Sequence, residues 1–172
     1  MENKFFKIKK NFSKLYSLLP MITILLFFDQ ISKWLIRNNF KMFESKQLTS
    51  FLALTYTTNT GVAFGMFEGN NNFFIVSTII ILVMLMIFLD TVEQDFGKYS
   101  VYAVMLIISG GIGNLLDRIF LGRVTDFIDF QINYKNVWPI FNFADSYVFI
   151  GVWVLIISFI HQFLKSSKVK KL

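Results

Sequence analysis

The sequence has no cysteine, only two prolines and a single histidine, His161. Without cysteine there is no disulfide, no thiolate metal site and no cysteine nucleophile. One histidine cannot supply a His-Glu-x-x-His zinc site, which argues against a zinc protease. Acidic residues are scarce too, 11 against 17 Lys plus Arg, which makes the position of each one informative.

What the chain has in abundance is apolar side chain. It is 55% hydrophobic, with 22 Phe among 172 residues and a mean hydropathy of +0.56. That is the composition of a membrane protein. The net charge of +6 is concentrated at the ends. Lys4, Lys7, Lys9, Lys10 and Lys14 stand against Glu2 at the front, and Lys165, Lys168, Lys170 and Lys171 close the chain. These ends carry +8 and leave −2 for everything between. Basic clusters flanking apolar runs are cytoplasmic anchors beside anionic lipid, so no nucleic-acid partner is expected.

Four apolar runs, at 17–36, 72–89, 99–118 and 142–164, approach the roughly 20 residues that span a bilayer. Pro20 is expected in the first turns of the first helix, where its missing N–H is tolerated. That run follows a basic front as a signal peptide does. No small-x-small cleavage site follows it, however, and an uncleaved first helix is expected. Lysines at both ends require an even number of crossings, four here, with both termini cytoplasmic. The stretch Asp90–Lys98 then reads as a cytoplasmic linker that is acidic, and acidic residues weigh little in orientation. The outward connections are long. Residues 37–71 contain the β-branched and aromatic stretch Gln47–Thr58, and 119–141 contain Arg123–Phe130 and Tyr134–Trp138. These predict strands of a small extracytoplasmic sheet on the membrane surface, with Tyr134 and Trp138 in the aromatic belt. No internal repeat or low-complexity linker divides the chain, and 1–172 reads as a single membrane domain.

Against this apolar background, Val124-Thr-Asp126-Phe and Phe141-Asn142-Phe-Ala-Asp145-Ser146 are polar islands. An acid at membrane depth is costly, and its default reading is functional. Asp126 and Asp129 are three apart, so in an extended segment they point to opposite faces and only one can enter a shared site. Asp145 lies one turn into the fourth helix, where the dipole suits a carboxylate. Asn142, near the helix start, is either a cap or a site member. The third helix ends Ser109-Gly110-Gly111-Ile-Gly113-Asn114-Leu-Leu-Asp117-Arg118. Its glycines permit close backbone approach. Asn114, Asp117 and Arg118 share one face, as a solvated charge pair or as a polar wall with a guanidinium fork. Asp29 and Lys33 are four apart in the favourable order for an ion pair, structural or substrate-contacting.

Two carboxylates held close cannot both ionise easily, so one keeps a proton. The ionised one can activate water against a peptide carbonyl, and the protonated one can donate to the carbonyl oxygen and then to the leaving nitrogen. Such a pair titrates as a unit, which leaves the acid and base assignments open. A Ser/His scheme is disfavoured because His161 belongs to the opposite end. A transporter would stack acids through the membrane depth and often show inverted repeats, and a scaffold would leave the polar islands unexplained.

Five islands occur in order: Asp29-Gln-Ile-Ser-Lys33, Asn59-Thr-Gly61-Val-Ala-Phe64, Gly110-Gly-Ile-Gly-Asn114-Leu-Leu-Asp117-Arg118, Val124-Thr-Asp126-Phe-Ile-Asp-Phe130 and Phe141-Asn142-Phe-Ala-Asp145-Ser146. With these islands the chain resembles the bacterial lipoprotein signal peptidases, the signal peptidase II family, over essentially its whole length, with no departure at a motif position. The resemblance implies an α-helical membrane protein with four transmembrane helices, a small extracytoplasmic β-cradle, a mobile outer loop and both termini cytoplasmic. It implies an aspartyl protease of the bacterial inner membrane that cleaves diacylglyceryl-modified prolipoproteins just before the lipidated cysteine, near the outer surface. Its catalytic pair falls on Asp126 and Asp145. Its substrate-binding or site-supporting residues fall on Asp29, Lys33, Asn59, Gly61, Asn114, Asp117, Arg118 and Asn142. No metal and no cofactor are expected, membrane lipid is the surrounding partner, and a monomer is expected.

Overall fold

The computed structural model describes the backbone of residues 4–61 and 69–169 and the side chains of 16, 18–61 and 69–165. Val62, Ala63 and Phe64 of the second island, and the part of the outer loop they belong to, lie outside the described residues. The elements run α1 (Lys4–Asn39), β1 (Ser45–Gln47), β2 (Leu52–Asn59), α2 (Asn71–Phe96), α3 (Tyr99–Leu121), β3 (Val124–Ile132), β4 (Lys135–Asn136) and α4 (Phe143–Val169).

Each helix contains a segment long and apolar enough to cross a membrane, at Leu18–Asn39, Asn71–Phe96, Tyr99–Leu121 and Phe143–Lys165. Two expectations are corrected. α1 begins at Lys4, so Pro20 sits in the helix interior, not in its first turns. There it removes one i→i−4 hydrogen bond. The acidic stretch after residue 89 is not a linker, because α2 continues through it to Phe96. Its polar residues stay helical by pairing along the helix, Gln94 Nε2 donating to buried Asp90 Oδ2 at 3.1 Å. Gly97, with φ 86°, ends α2 and donates its N–H to Glu93 O at 2.8 Å.

The buried apolar core is thin. Ile22, Leu82, Leu89, Val104, Met105 and Ile108 pack where α1, α2 and α3 meet. Most large apolar side chains point outward instead, among them Phe27, Phe28, Ile80, Ile81, Trp153 and Ile157. A water-soluble domain does not present such a surface, whereas lipid accepts it. α3 is the central helix, and small residues bring α4 onto it. A Cβ on Gly110 would collide with the Ala144 carbonyl oxygen, and one on Gly151 would lie 2.6 Å from the Ala103 carbonyl oxygen.

The four strands form one antiparallel sheet in the order β1-β2-β3-β4. β1 and β2 lie between α1 and α2, and β3 and β4 between α3 and α4. The sheet therefore caps the end of the bundle where α1 and α3 finish and α2 and α4 begin. The β2–β3 register jumps between Leu54↔Ile128 and Thr57↔Asp126, so Thr55 and Tyr56 together oppose Phe127. At the same point β3 is also bonded on its other side. Phe127 and Ile128 both donate to Phe141 O, at 3.0 and 2.8 Å, tying β3 to the residue just ahead of α4.

Candidate active site

The site grows from the start of α4. Asn142 Oδ1 accepts the Asp145 N–H at 2.9 Å, and Asp145 Oδ2 accepts the Asn142 N–H at 3.1 Å. This is a reciprocal capping box with Asp in the place of the usual Glu. It commits the Asn142 oxygen to the helix and turns its amide nitrogen outward. That nitrogen donates to Asp126 Oδ1 at 2.7 Å, with Asn114 Oδ1 at 3.2 Å and Thr125 O at 3.3 Å. The two readings of Asn142, cap and site member, are thus the same geometry.

Asn114 is oriented by the same kind of constraint. Lys33 Nζ lies 2.9 Å from Asn114 Oδ1, and an ammonium has donors only. The Asn114 nitrogen must therefore face away, and it donates to Asp145 Oδ1 at 2.7 Å. Asp126 and Asp145 are consequently joined through two side-chain amides, each held in one orientation by a group behind it.

Behind the amides is a buried ion-pair network. Lys33 and Asp29 are both fully enclosed, with Nζ 2.9 Å from Asp29 Oδ2 and 3.7 Å from Asp117 Oδ2. Asp29 Oδ1 accepts the Ala144 N–H at 2.9 Å, one of the donors that a helix's first turn leaves unpaired. Asp117 Oδ2 accepts the Thr125 N–H at 2.9 Å, and Arg37 Nη1 donates to Thr125 Oγ1 at 3.0 Å while lying 3.7 Å from Asp117 Oδ1. These contacts hold the residue immediately before Asp126 on both its backbone and its side chain. Arg118 closes another side. Its Nη2 donates to Gly61 O at 3.0 Å, its guanidinium sits 5.3 Å from the Phe74 ring centroid, and the Gly61 N–H binds Asn59 Oδ1 at 2.7 Å.

A cavity of about 530 Å³ opens over these groups. Asn59, Gly61, Asn114, Arg118, Asp126 and Asp145 form its polar side, and Phe130, Trp138, Ile140, Phe149 and Ile150 its apolar side. Phe149 and Ile150 are also exposed on the outer surface of α4, so the apolar side continues onto the lipid-facing surface. Burial raises the Asp126 carboxyl from 3.8 to about 8, and the nearby Asp145 charge adds to the rise. The Asn142 hydrogen bond and the Lys33 and Arg118 charges oppose it.

All ten candidate residues either line this cavity or belong to the bonded network behind it. Asp29, Lys33, Asp117 and Asn142 support the cavity from behind; the other six line it. Asp129 is turned to the other face of β3, where it accepts from Thr55 Oγ1 at 2.7 Å and Gln131 Nε2 at 2.5 Å. Sequence reasoning missed Arg37, Thr125 and Gln30, whose Nε2 bonds both Asp29 Oδ2 and Gly113 O at 3.0 and 3.1 Å. Arg37 was findable, being one further turn along the Asp29–Lys33 face. It missed the apolar side as well, because in a chain this rich in Phe and Ile no single apolar residue stands out.

The fold has close counterparts among solved structures. Two structures of a bacterial membrane enzyme, obtained by the in meso method at 2.3 and 1.9 Å, superpose with TM-scores of 0.73 and 0.70. Each is 34% identical, and they cover 84% and 83% of this chain and 88% and 91% of their own. The family model described as signal peptidase (SPase) II matches residues 21–161, a range that includes every island from Asp29 to Ser146. The chain belongs to the signal peptidase II family. Relatives named lipoprotein signal peptidase include that of Halalkalibacterium halodurans, 37% identical over 91% of this chain and 98% of its own. That of Staphylococcus aureus strain JH9 is 38% identical over 84% and 85%, and that of Wigglesworthia glossinidia brevipalpis 37% over 83% and 93%. Signal peptidase II membership makes this a protease, and its four apolar helices make it a multi-pass membrane protein.

Proposed function

We propose that this chain is an aspartic endopeptidase of the bacterial cytoplasmic membrane that removes signal peptides from diacylglyceryl-modified prolipoproteins, cutting on the N-terminal side of the lipidated cysteine. The names of its relatives support the substrate class. One observation carries the chemistry: Asp126 and Asp145 share a cavity and are bridged through Asn142 and Asn114.

The pair holds one proton. Both oxygens of Asp145 face N–H donors and need their lone pairs, whereas Asp126 has one such donor and one oxygen left over. Asp126 is therefore the acid and Asp145 the base. Asp145 takes a proton from water as the water oxygen attacks the scissile carbonyl carbon, and Asp126 gives its proton to the carbonyl oxygen. When the tetrahedral intermediate collapses, the C–N bond breaks, the nitrogen receives the proton held by Asp145, and the hydroxyl proton returns to Asp126. Arg118 fixes the Gly61 carbonyl beside the cleft and supplies a fixed positive charge there.

The apolar side of the cavity suits the diacylglyceryl group, whose chains stay in lipid along Phe149 and Ile150 while the peptide bond meets the carboxylates. The site draws on all four helices of one chain, which supports a single membrane domain acting as a monomer. Lysine-rich ends support cytoplasmic termini and, with them, a sheet, cavity and carboxylates at the extracytoplasmic face.

The test is cleavage of a synthetic diacylglyceryl-modified prolipoprotein peptide by purified protein in detergent, with a chelator present. Wild type should cut before the lipidated cysteine, and Asp126→Asn and Asp145→Asn should each lower kcat by about 1,000-fold or more, as removal of a paired catalytic group does. Cleavage that survives either substitution would remove that residue from the catalytic pair.

A further inference from the structure

The carboxylate of Asp129 is buried, at 1% exposure, yet the proposed chemistry does not use it. No lysine, arginine or histidine among the described residues forms an ion pair with it. It lies across the sheet from the bulge, accepting from Thr55 Oγ1 at 2.7 Å and from Gln131 Nε2, while Ser45 Oγ reaches the same Thr55 hydroxyl at 2.7 Å. Thr55 is the first of the two residues that together oppose Phe127. Its partner strand carries Asp126 on one side of that point and Asp129 on the other.

A bulge is a place where register can slip, and a slip of one residue in β3 turns Asp126 away from the cavity. Beside the bulge, on the other edge of β3, the Phe127 and Ile128 N–H groups both donate to Phe141 O, and Phe141 leads directly into the Asn142–Asp145 cap. The distance between the two halves of the catalytic pair therefore depends on where the bulge sits. We infer that Thr55 and Asp129 are positioning residues: their hydrogen bond locks the β2 bulge in register and thereby holds Asp126 against the Asn142–Asp145 end of α4.

The inference rests on the Asp126–Asp145 reading above, and its chemistry makes an uneven set of predictions. The lock requires an oxygen at position 129 and a hydroxyl at 55, not a charge. Asp129→Asn keeps an oxygen for Thr55 and Gln131, so it should retain kcat within about threefold. Asp129→Ala and Thr55→Val each remove one side of the bond. They should lower kcat roughly 10- to 100-fold with KM within about twofold, the pattern of a displaced catalytic group. Thr55→Ser restores the hydroxyl and should restore kcat. The double variant Thr55→Val/Asp129→Ala should be no slower than Asp129→Ala alone, because both act through one contact.

The assay is the prolipoprotein-peptide cleavage above, run on detergent-purified variants alongside Asp126→Asn and a thermal unfolding scan. Loss of kcat in Thr55→Val with recovery in Thr55→Ser supports the lock. A folded Thr55→Val with wild-type kcat overturns it, as does a loss that Thr55→Ser does not repair. If Thr55→Val does not fold, Asp129→Asn and Thr55→Ser decide, since both preserve the bond and inactivity of either contradicts the inference. An inactive Asp129→Asn beside an active Asp126→Asn instead places Asp129 in the catalytic pair, which overturns the Asp126–Asp145 reading itself.

Discussion

At the scale of single residues, the site is governed by which atoms have no choice. An ammonium accepts nothing, so Lys33 fixes the Asn114 oxygen; a capped helix needs an acceptor, so Asp145 N–H fixes the Asn142 oxygen. Both amide nitrogens are left for the carboxylates. Asp126 shows the consequence for titration. Its native pKa near 8 is above its unfolded value of 3.8, so the folded protein holds this proton more tightly than the unfolded chain. Folding stability from this group is therefore present at low pH and is lost as pH rises from about 4 towards 8, the reverse of a salt-bridged acid. Asp126→Asn keeps the Asn142 hydrogen bond and removes the titration, so the thermal midpoint of wild type should fall between about pH 6 and pH 9 while that of the variant falls less. Parallel curves would show that Asp126 is ionised throughout. Activity should decline as pH rises through about 8, when the pair loses its proton. Arg118 makes a second residue-level prediction. Its guanidinium bonds Gly61 O while lying over the Phe74 ring, and an ammonium cannot do both. Arg118→Lys should lower kcat/KM at least ~10-fold, the mild end of losing an oriented donor in an active site, and near-normal cleavage would deny Arg118 a direct part.

Elements convert these local constraints into a site by approaching closely. α4 can deliver Asp145 only if its first turns lie on α3, and Gly110 and Gly113 supply the room. A Cβ at 113 would stand 2.6 Å from Asp29 Oδ2 and 3.2 Å from Ala144 Cβ, and one at 110 would strike the Ala144 backbone carbonyl. Backbone cannot rotate away, so Gly110→Ala must separate the helices just where the Asp29–Ala144 bond anchors α4. It should cost roughly 1–3 kcal/mol of stability and lower cleavage with it. Gly111 is an internal control. A Cβ there meets the Leu82 side chain at 3.0 Å, and a leucine can turn aside. The gain in helix propensity, about 1 kcal/mol, offsets the crowding, and Gly111→Ala should be close to neutral in thermal unfolding and in activity. Equal effects at 110 and 111 would mean that α3 tolerates both and that the close approach is not what sets the site. Here sequence and structure agree for a physical reason. The Gly-rich stretch was legible as a packing surface because small residues have little other use in an apolar helix. Which glycine faces α4 was not legible, because that depends on the helix's rotation against its neighbours.

For the whole molecule, the four spans were legible because hydrocarbon length is a strong constraint, and each expected run starts within one residue of an apolar segment long enough to cross a membrane. The ends of the helices were not. Asp90–Phe96 looked like a linker from its charge, yet helical pairing between Asp90 and Gln94 carries α2 two turns further. The site was legible in its carboxylates and amides, since polar residues are rare here, but its apolar side and the β2 bulge were not, since both depend on contacts across the sheet. Orientation in the membrane is the remaining whole-molecule property, and the absence of cysteine makes it directly measurable. Tyr134, in the β3–β4 turn beside the site, is 80% exposed, and Lys165 ends the apolar part of α4 at the other end of the bundle. Single Tyr134→Cys and Lys165→Cys variants therefore report on opposite faces. With cytoplasmic termini, a membrane-impermeant maleimide added to intact cells or spheroplasts should label position 134 and spare 165, and permeabilisation should expose both. The reverse pattern would put the carboxylates on the cytoplasmic side, where a signal peptide's cleavage site does not emerge, and would remove the topological basis of the proposed reaction.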